Sequence, residues 1–172
     1  INKGKPLLLK SPDNTCRVRE IKQRYPNAKF VNIYREPYTV VMSTINMFIK
    51  QRDLLALQER PERFEELIED TIVDEFERMY RELFETQKTL GKDDFVDVCY
   101  ETFAADPEKE LERIYGELGL PDFDAARIEM EKHIESQKDY KKNRFTLSDR
   151  LRRKINARLG FYFEHYGYAM EE

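Results

Sequence analysis

Two cations and one hydroxyl stand where an anion is most easily held. Lys10 closes the apolar run Leu7-Leu8-Leu9, Arg35 follows Phe30-Val31-Asn32-Ile33-Tyr34, and Ser43 lies eight residues beyond Arg35. A guanidinium offers a planar fork of donors, and a hydroxyl on the following helix can grip the same tetrahedral anion from a second side. In open α/β sheets ligands gather beyond the carboxyl ends of the strands, where helix N-termini add free amides. The three strand ends here are Lys10-Ser11-Pro12, Tyr34-Arg35-Glu36 and Tyr100-Glu101. On residue types alone this is an anion site for a phosphorylated ligand; the plainer alternative is that Lys10 and Arg35 are solvated or paired with local carboxylates.

Other reactive side chains carry less. Lys138, Lys141, Lys142 and Arg144 form a second basic cluster with Asp139 as its one acid, and a solvated loop explains it equally well. Arg150, Arg152, Arg153, Lys154 and Arg158 read as a solvated helix face. His133 sits among charges on a helix and His165 in an aromatic tail, so neither is a candidate catalyst. With those two histidines and two distant cysteines, Cys16 and Cys99, the chain offers neither a zinc-ligand spacing nor a disulfide framework, and no metal is expected. Unpaired cysteines lean toward the cytoplasm.

The elements that must hold these groups follow from periodicity. The run ending at Lys10 has the length and continuity of a strand buried on both faces, as parallel strands are. Asn14 or Thr15 caps a helix carrying Val18, Ile21 and Tyr25, ended by Pro26-Asn27. A second strand, 29–34, is rich in β-branched and aromatic residues. Arg35-Glu36-Pro37 starts a helix with proline in its first turn, where the missing N–H costs nothing. Glu62 to about Leu90 is a long amphipathic helix whose apolar stripe is available to a partner or a second copy. Phe95–Tyr100 is a third strand. Helices follow around Leu111–Leu118, stopped at Gly119, around Ala125–Ile134, and from Leu147 to Leu159, stopped at Gly160. The fold class is α/β, with a short parallel sheet and a helix-rich C-terminal half in one compact unit.

Composition narrows the field. The chain has 172 residues, 40% hydrophobic and 37% charged, with ten tyrosines and eleven phenylalanines. That suits one domain with an aromatic core and excludes wholesale disorder. A net charge of −4 speaks against a basic nucleic-acid binder, and no apolar run approaches the ~20 residues of a membrane span.

Taken in order, Leu7-Leu8-Leu9-Lys10-Ser11-Pro12, Tyr25-Pro26-Asn27-Ala28-Lys29-Phe30-Val31, Arg35-Glu36-Pro37 with Ser43, Tyr100-Glu101 with Asp106-Pro107, Leu118-Gly119-Leu120-Pro121 and the closing Phe163-Glu164-His165-Tyr166-Gly167-Tyr168 resemble the bacterial-type sulfotransferases that use 3′-phosphoadenosine-5′-phosphosulfate (PAPS). The resemblance implies a P-loop-like three-layer fold and transfer of a sulfuryl group from PAPS, without a metal, to a hydroxyl on a small molecule or carbohydrate. It implies that Arg35 and Ser43 bind the 3′-phosphate, that Tyr100 lies beside the adenine, and that Lys10 stands near the transferring group. Lys142 and Arg144 fall where the family has a basic loop over the 3′-phosphate. Many members carry a histidine base where this chain has Asn14. An amide takes up no proton near neutrality, so the base is left to neighbouring Asp13 or a carboxylate further upstream, and Asn14 stays a catalytic candidate by its position alone.

The family's opening strand and phosphosulfate-binding loop have no counterpart, so the chain is expected to be a C-terminal portion of one sulfotransferase-like domain, residues 1–172. The rival expectations are a P-loop-type nucleotide kinase and a non-catalytic helical module, with a homodimer among its partners.

Overall fold

The computed structural model describes residues 7–55, 61–136 and 146–172. A short 3-10 turn, Pro12–Cys16, leads into helix α1, Val18–Arg24. Strand β1, Phe30–Tyr34, is followed by helix α2, Pro37–Leu55, and helix α3, Phe64–Gln87, before strand β2, Phe95–Cys99. Helices α4, Tyr100–Ala105, α5, Pro107–Glu117, α6, Phe123–Ser136, and α7, Asp149–Tyr166, complete the chain.

The two strands are parallel, with Phe30 opposite Phe95, Asn32 opposite Asp97 and Tyr34 opposite Cys99. Parallel neighbours need a crossover, and α2 with α3 supplies it. Side chains alternate across the sheet. Phe30, Tyr34 and Phe95 face a core of Tyr38, Val41, Ile45, Ile72, Val73, Phe76, Tyr80 and Leu83 with Leu151, Ile155, Leu159, Tyr162 and Phe163. Val96 and Val98 face the other way, onto Ile114 and Leu118. The result is three layers: the α2–α3–α7 bundle, the sheet, and the α4–α5 side.

Most of the α3 stripe that sequence left available for a partner is thus covered within the chain, by α2 and α7, with Leu67 remaining 59% exposed. A ladder of opposite charges fixes how α7 lies on α3. Arg150 pairs with Glu69 and Asp70, Lys154 with Asp70 (2.8 Å), and Arg158 with Glu77 (2.6 Å). These cations, read from sequence as a solvated face, match an acidic edge of α3 that the one-dimensional pattern did not reveal.

Two further expectations change. Leu7–Lys10 forms no strand: Leu7, Leu8 and Leu9 are 81%, 94% and 63% exposed, and the described sheet holds only β1 and β2. A strand is stable only when a neighbour pairs its N–H and C=O groups, and none of the described residues does so here. The last helix does not stop at Gly160 but runs to Tyr166. Glycine inside a helix costs ~1 kcal/mol. The continuing stripe of Leu159, Tyr162 and Phe163, each at most 1% exposed, stabilises by roughly 1.5–3 kcal/mol per side chain and outweighs that cost. The stop is Gly167, whose φ of 73° lies in the left-handed region that favours glycine. At the start of α7 the Ser148 hydroxyl accepts the Leu151 N–H (3.2 Å).

Sheet and helices are also joined by polar contacts. The Asp97 carboxylate accepts from Asn32 Nδ2 (2.6 Å), Tyr166 Oη (3.2 Å) and Gln87 Nε2 (2.7 Å), tying both strands to α3 and α7.

Candidate functional site

The carboxyl ends of β1 and β2 lie side by side because the strands are parallel and in register. Arg35 follows β1 and Tyr100 follows β2, so residues 65 positions apart meet. The Arg35 guanidinium stacks over the Tyr100 ring, Cζ standing 4.3 Å from the ring centroid. Such a stack holds the cation by attraction to the ring's π face. The Arg35 side chain keeps 28% of its exposure. Among the described residues its nearest carboxylate is that of Glu101, 3.9 Å from Nε, on the flank of the guanidinium. A fork of N–H donors beside an aromatic face suits a nucleotide: phosphate on the fork, base against the ring.

Glu101 is the hub behind the fork. Besides facing Arg35, it accepts the Glu36 N–H (3.3 Å) on Oε1, and the Tyr168 hydroxyl (2.7 Å) and Cys99 thiol (3.2 Å) on Oε2. Burial pulls its carboxyl upward, but these hydrogen bonds outweigh burial and hold it below the usual range. It remains an anion at neutral pH and keeps Arg35 company. The phenol of Tyr168 is pushed well above its ordinary value by burial first and by its bond to Glu101 second, so it stays a neutral donor.

The N-terminus of α2 differs from the expectation of free amides. The Glu36 carboxylate accepts from Tyr38 N (2.8 Å), Thr39 N (2.7 Å) and Thr39 Oγ1 (2.7 Å). A carboxylate one position ahead of the helix reaches back over the first turn and neutralises the positive end of its dipole. Any anion here is left to side chains: Arg35, and Ser43 on the second turn of α2, which is half-buried.

The remaining candidates are more scattered. Lys10 is exposed, in irregular chain just before the 3-10 turn. Asp13 and Asn14 lie within that turn, where Asp13 accepts the Ser11 hydroxyl at 3.4 Å. Lys142 and Arg144 lie outside the described residues. His165 stacks on Phe84, ring centroids 3.9 Å apart, which is the packing role expected of it. Among the described residues no cluster of His, Cys, Asp or Glu is arranged to hold a metal, and no helix is long and apolar enough to cross a membrane.

Sequence reasoning named Tyr100 and Arg35 but missed their supports. Glu101 was visible beside Tyr100, yet nothing local showed that it reaches back to Glu36. Tyr162, from α7, contacts Arg35 across 127 positions, its hydroxyl donating to the Arg35 carbonyl (2.8 Å) and accepting the Arg35 N–H (3.3 Å).

Known proteins converge on one comparison. The sequence pattern of the sulfotransferase family matches residues 2–125. The omega-hydroxy-beta-dihydromenaquinone-9 sulfotransferases Stf3 of Mycobacterium bovis and Mycobacterium tuberculosis are each 31% identical over 164 residues, 95% of this chain and 42% of theirs. The crystal structure of sulfotransferase STF9 from Mycobacterium avium superimposes with a TM-score of 0.67 at 18% identity, over 95% of this chain and 42% of that one. This chain therefore shares that P-loop-like α/β fold, and it spans 42% of the length of the curated relatives it matches.

Proposed function

Since the chain belongs to the sulfotransferase family, we propose that it is a portion of an enzyme that moves a sulfuryl group from PAPS to a hydroxyl acceptor. The observation that carries this reading is the Arg35–Tyr100 stack at the carboxyl end of two parallel strands, with the Arg35 side chain 28% exposed. Arg35 and Ser43 hold the ribose-linked 3′-phosphate, and Tyr100 lies along the adenine. The family resemblance assigns Lys142 and Arg144, outside the described residues, to the same phosphate.

Sulfuryl transfer parallels phosphoryl transfer: the group passes in line, and charge grows on the departing phosphate oxygen. Lys10 suits that oxygen because an ammonium is a compact point charge on a flexible stem. Asn14 takes up no proton, so the proton of the acceptor hydroxyl goes to Asp13 or to a carboxylate outside these residues. Among the described residues β1 pairs only with β2, and Leu7, Leu8 and Leu9 are exposed; a further strand would cover both surfaces.

The acceptor we favour is apolar apart from its hydroxyl. Met47, Phe48, Leu54 and Leu55 are exposed and fall on one side of α2, a little further along the helix than Ser43. The similar mycobacterial enzymes are named for a menaquinone acceptor, which has the same character. Two free cysteines, Cys16 and Cys99, support a cytoplasmic setting.

Calorimetric titration of the full-length protein tests the reading. Adenosine 3′,5′-bisphosphate should bind without metal, and ATP should bind far more weakly with or without Mg²⁺. Tight Mg²⁺-dependent binding of ATP would favour a kinase instead, and no binding of either nucleotide would remove the enzymatic reading.

A further inference from the structure

We propose that the aromatic C-terminus is part of the nucleotide site, with Tyr162 and Tyr168 acting as positioning residues that set Arg35 for the 3′-phosphate. The inference rests on the reading of Arg35 given above. Both tyrosines lie beyond residue 125, where the match to the family pattern ends.

Arg35 stands between β1, which ends at Tyr34, and α2, which begins at Pro37, so neither ladder nor helix pairs its main chain. The Tyr162 hydroxyl takes both roles at once, accepting from the Arg35 N–H and donating to the Arg35 carbonyl. Tyr162 is 0% exposed, and its ring packs against Tyr80 (4.6 Å), Tyr166 (4.8 Å) and Phe76 (5.5 Å). A hydroxyl carried on a ring so enclosed has one available position, and it transfers that rigidity to the Arg35 backbone.

Tyr168 acts on the other end of the same residue. Its hydroxyl donates to Glu101 Oε2, while Oε1 of that carboxylate accepts the Glu36 N–H and faces Arg35 Nε. The carboxylate is thereby held to the flank of the guanidinium, and the terminal nitrogens are left for a ligand. Tyr162 fixes where the side chain starts, and Tyr168 fixes which way its head turns. A catalytic or binding group loses much of its effect when it is displaced by ~1 Å, which is why this second layer matters.

The competing account is that both hydroxyls only satisfy buried polar groups. That account predicts lower stability with equal losses for every nucleotide. Positioning predicts a selective loss of the 3′-phosphate contribution, and no charge changes when a tyrosine becomes phenylalanine, so electrostatics do not confuse the result.

The test measures, in the full-length protein, the ratio of affinities for adenosine 3′,5′-bisphosphate and adenosine 5′-monophosphate. Arg35→Ala should lower that ratio about 100-fold, and Tyr162→Phe and Tyr168→Phe should each lower it about 3–10-fold, or ~0.7–1.4 kcal/mol. Neither tyrosine change should lower it further once Arg35 is alanine, because residues acting through one group are not additive. Should Tyr162→Phe fail to fold, Tyr168→Phe, whose hydroxyl lies nearer the surface, decides the matter alone. A ratio within twofold of the parent in the tyrosine variants, equal losses for both nucleotides, or full additivity with Arg35→Ala overturns the inference while leaving the role of Arg35 intact. If Arg35→Ala itself spares the ratio, the 3′-phosphate reading falls, and this one with it.

Discussion

Replacing Arg35 by alanine in the full-length protein should weaken adenosine 3′,5′-bisphosphate by about two to three powers of ten. The magnitude follows from three local losses. The guanidinium fork offers two charge-assisted hydrogen bonds to one phosphate, together worth roughly 2–3 kcal/mol at a site only partly desolvated. The stack on Tyr100, 4.3 Å from the ring centroid, disappears with the side chain and leaves the adenine-side ring less well held. Glu101, no longer faced by a cation, then repels the incoming phosphate; at ~7 Å and near-surface screening this adds about 1 kcal/mol. Lysine at the same position keeps the charge but loses the fork and the planar stack, so Arg35→Lys should cost only ~10-fold, again by the strength of one charged hydrogen bond. Converting Glu101 to glutamine in the Arg35→Ala background should restore a few-fold of affinity by removing the repulsion. Calorimetry with adenosine 5′-monophosphate as the control separates these terms, since that ligand never meets the fork. Affinity of Arg35→Ala within threefold of the parent for the 3′,5′-bisphosphate would refute the reasoning at its root.

Three further outcomes are expected. Lys10→Ala should lower turnover ~100-fold or more with little change in nucleotide affinity, the loss of one group that stabilises developing charge, and near-normal turnover in a steady-state assay would remove Lys10 from the chemistry. Asp97→Ala strands the Asn32, Tyr166 and Gln87 donors at the sheet and should destabilise by ~3–5 kcal/mol in urea unfolding, whereas a loss below ~1 kcal/mol would mean the network is only decoration. Gly160→Ala should stabilise by ~0.5–1 kcal/mol, because the new methyl group meets only Met170 Cε at an ordinary 3.8 Å inside a helix; a lower unfolding midpoint would show strain there.

What the sequence reveals of this fold is what local rules control. The proline of Arg35-Glu36-Pro37 marks the start of α2, the three-and-four spacing marks α3, and the β-branched runs at 30–34 and 95–99 mark a parallel pair. Leu7-Leu8-Leu9 misleads because an apolar run reports a wish for burial and not the presence of a neighbour. Gly160 misleads because helix propensity is a ~1 kcal/mol preference, and the packing of Leu159, Tyr162 and Phe163 is worth several times that. The α2 amides are not open because the Glu36 side chain, just ahead of the helix, reaches over its own first turn to accept them.

In the candidate site the cation and the aromatic residue are each legible, but their meeting is not: it depends on the register of β1 against β2. Nothing local marks Tyr162 and Tyr168 for the site, because an aromatic tail carries no periodic sign of where its hydroxyls go. The same physics explains the charges on α7, whose partners lie some eighty positions earlier on α3.

A crystal structure of the full-length protein with adenosine 3′,5′-bisphosphate bears most directly on the reading. The account predicts the 3′-phosphate oxygens within ~2.7–3.2 Å of both an Arg35 terminal nitrogen and Ser43 Oγ, with the adenine against Tyr100. A 3′-phosphate seated elsewhere, with Arg35 still turned to Glu101 and Ser43 untouched, would contradict it.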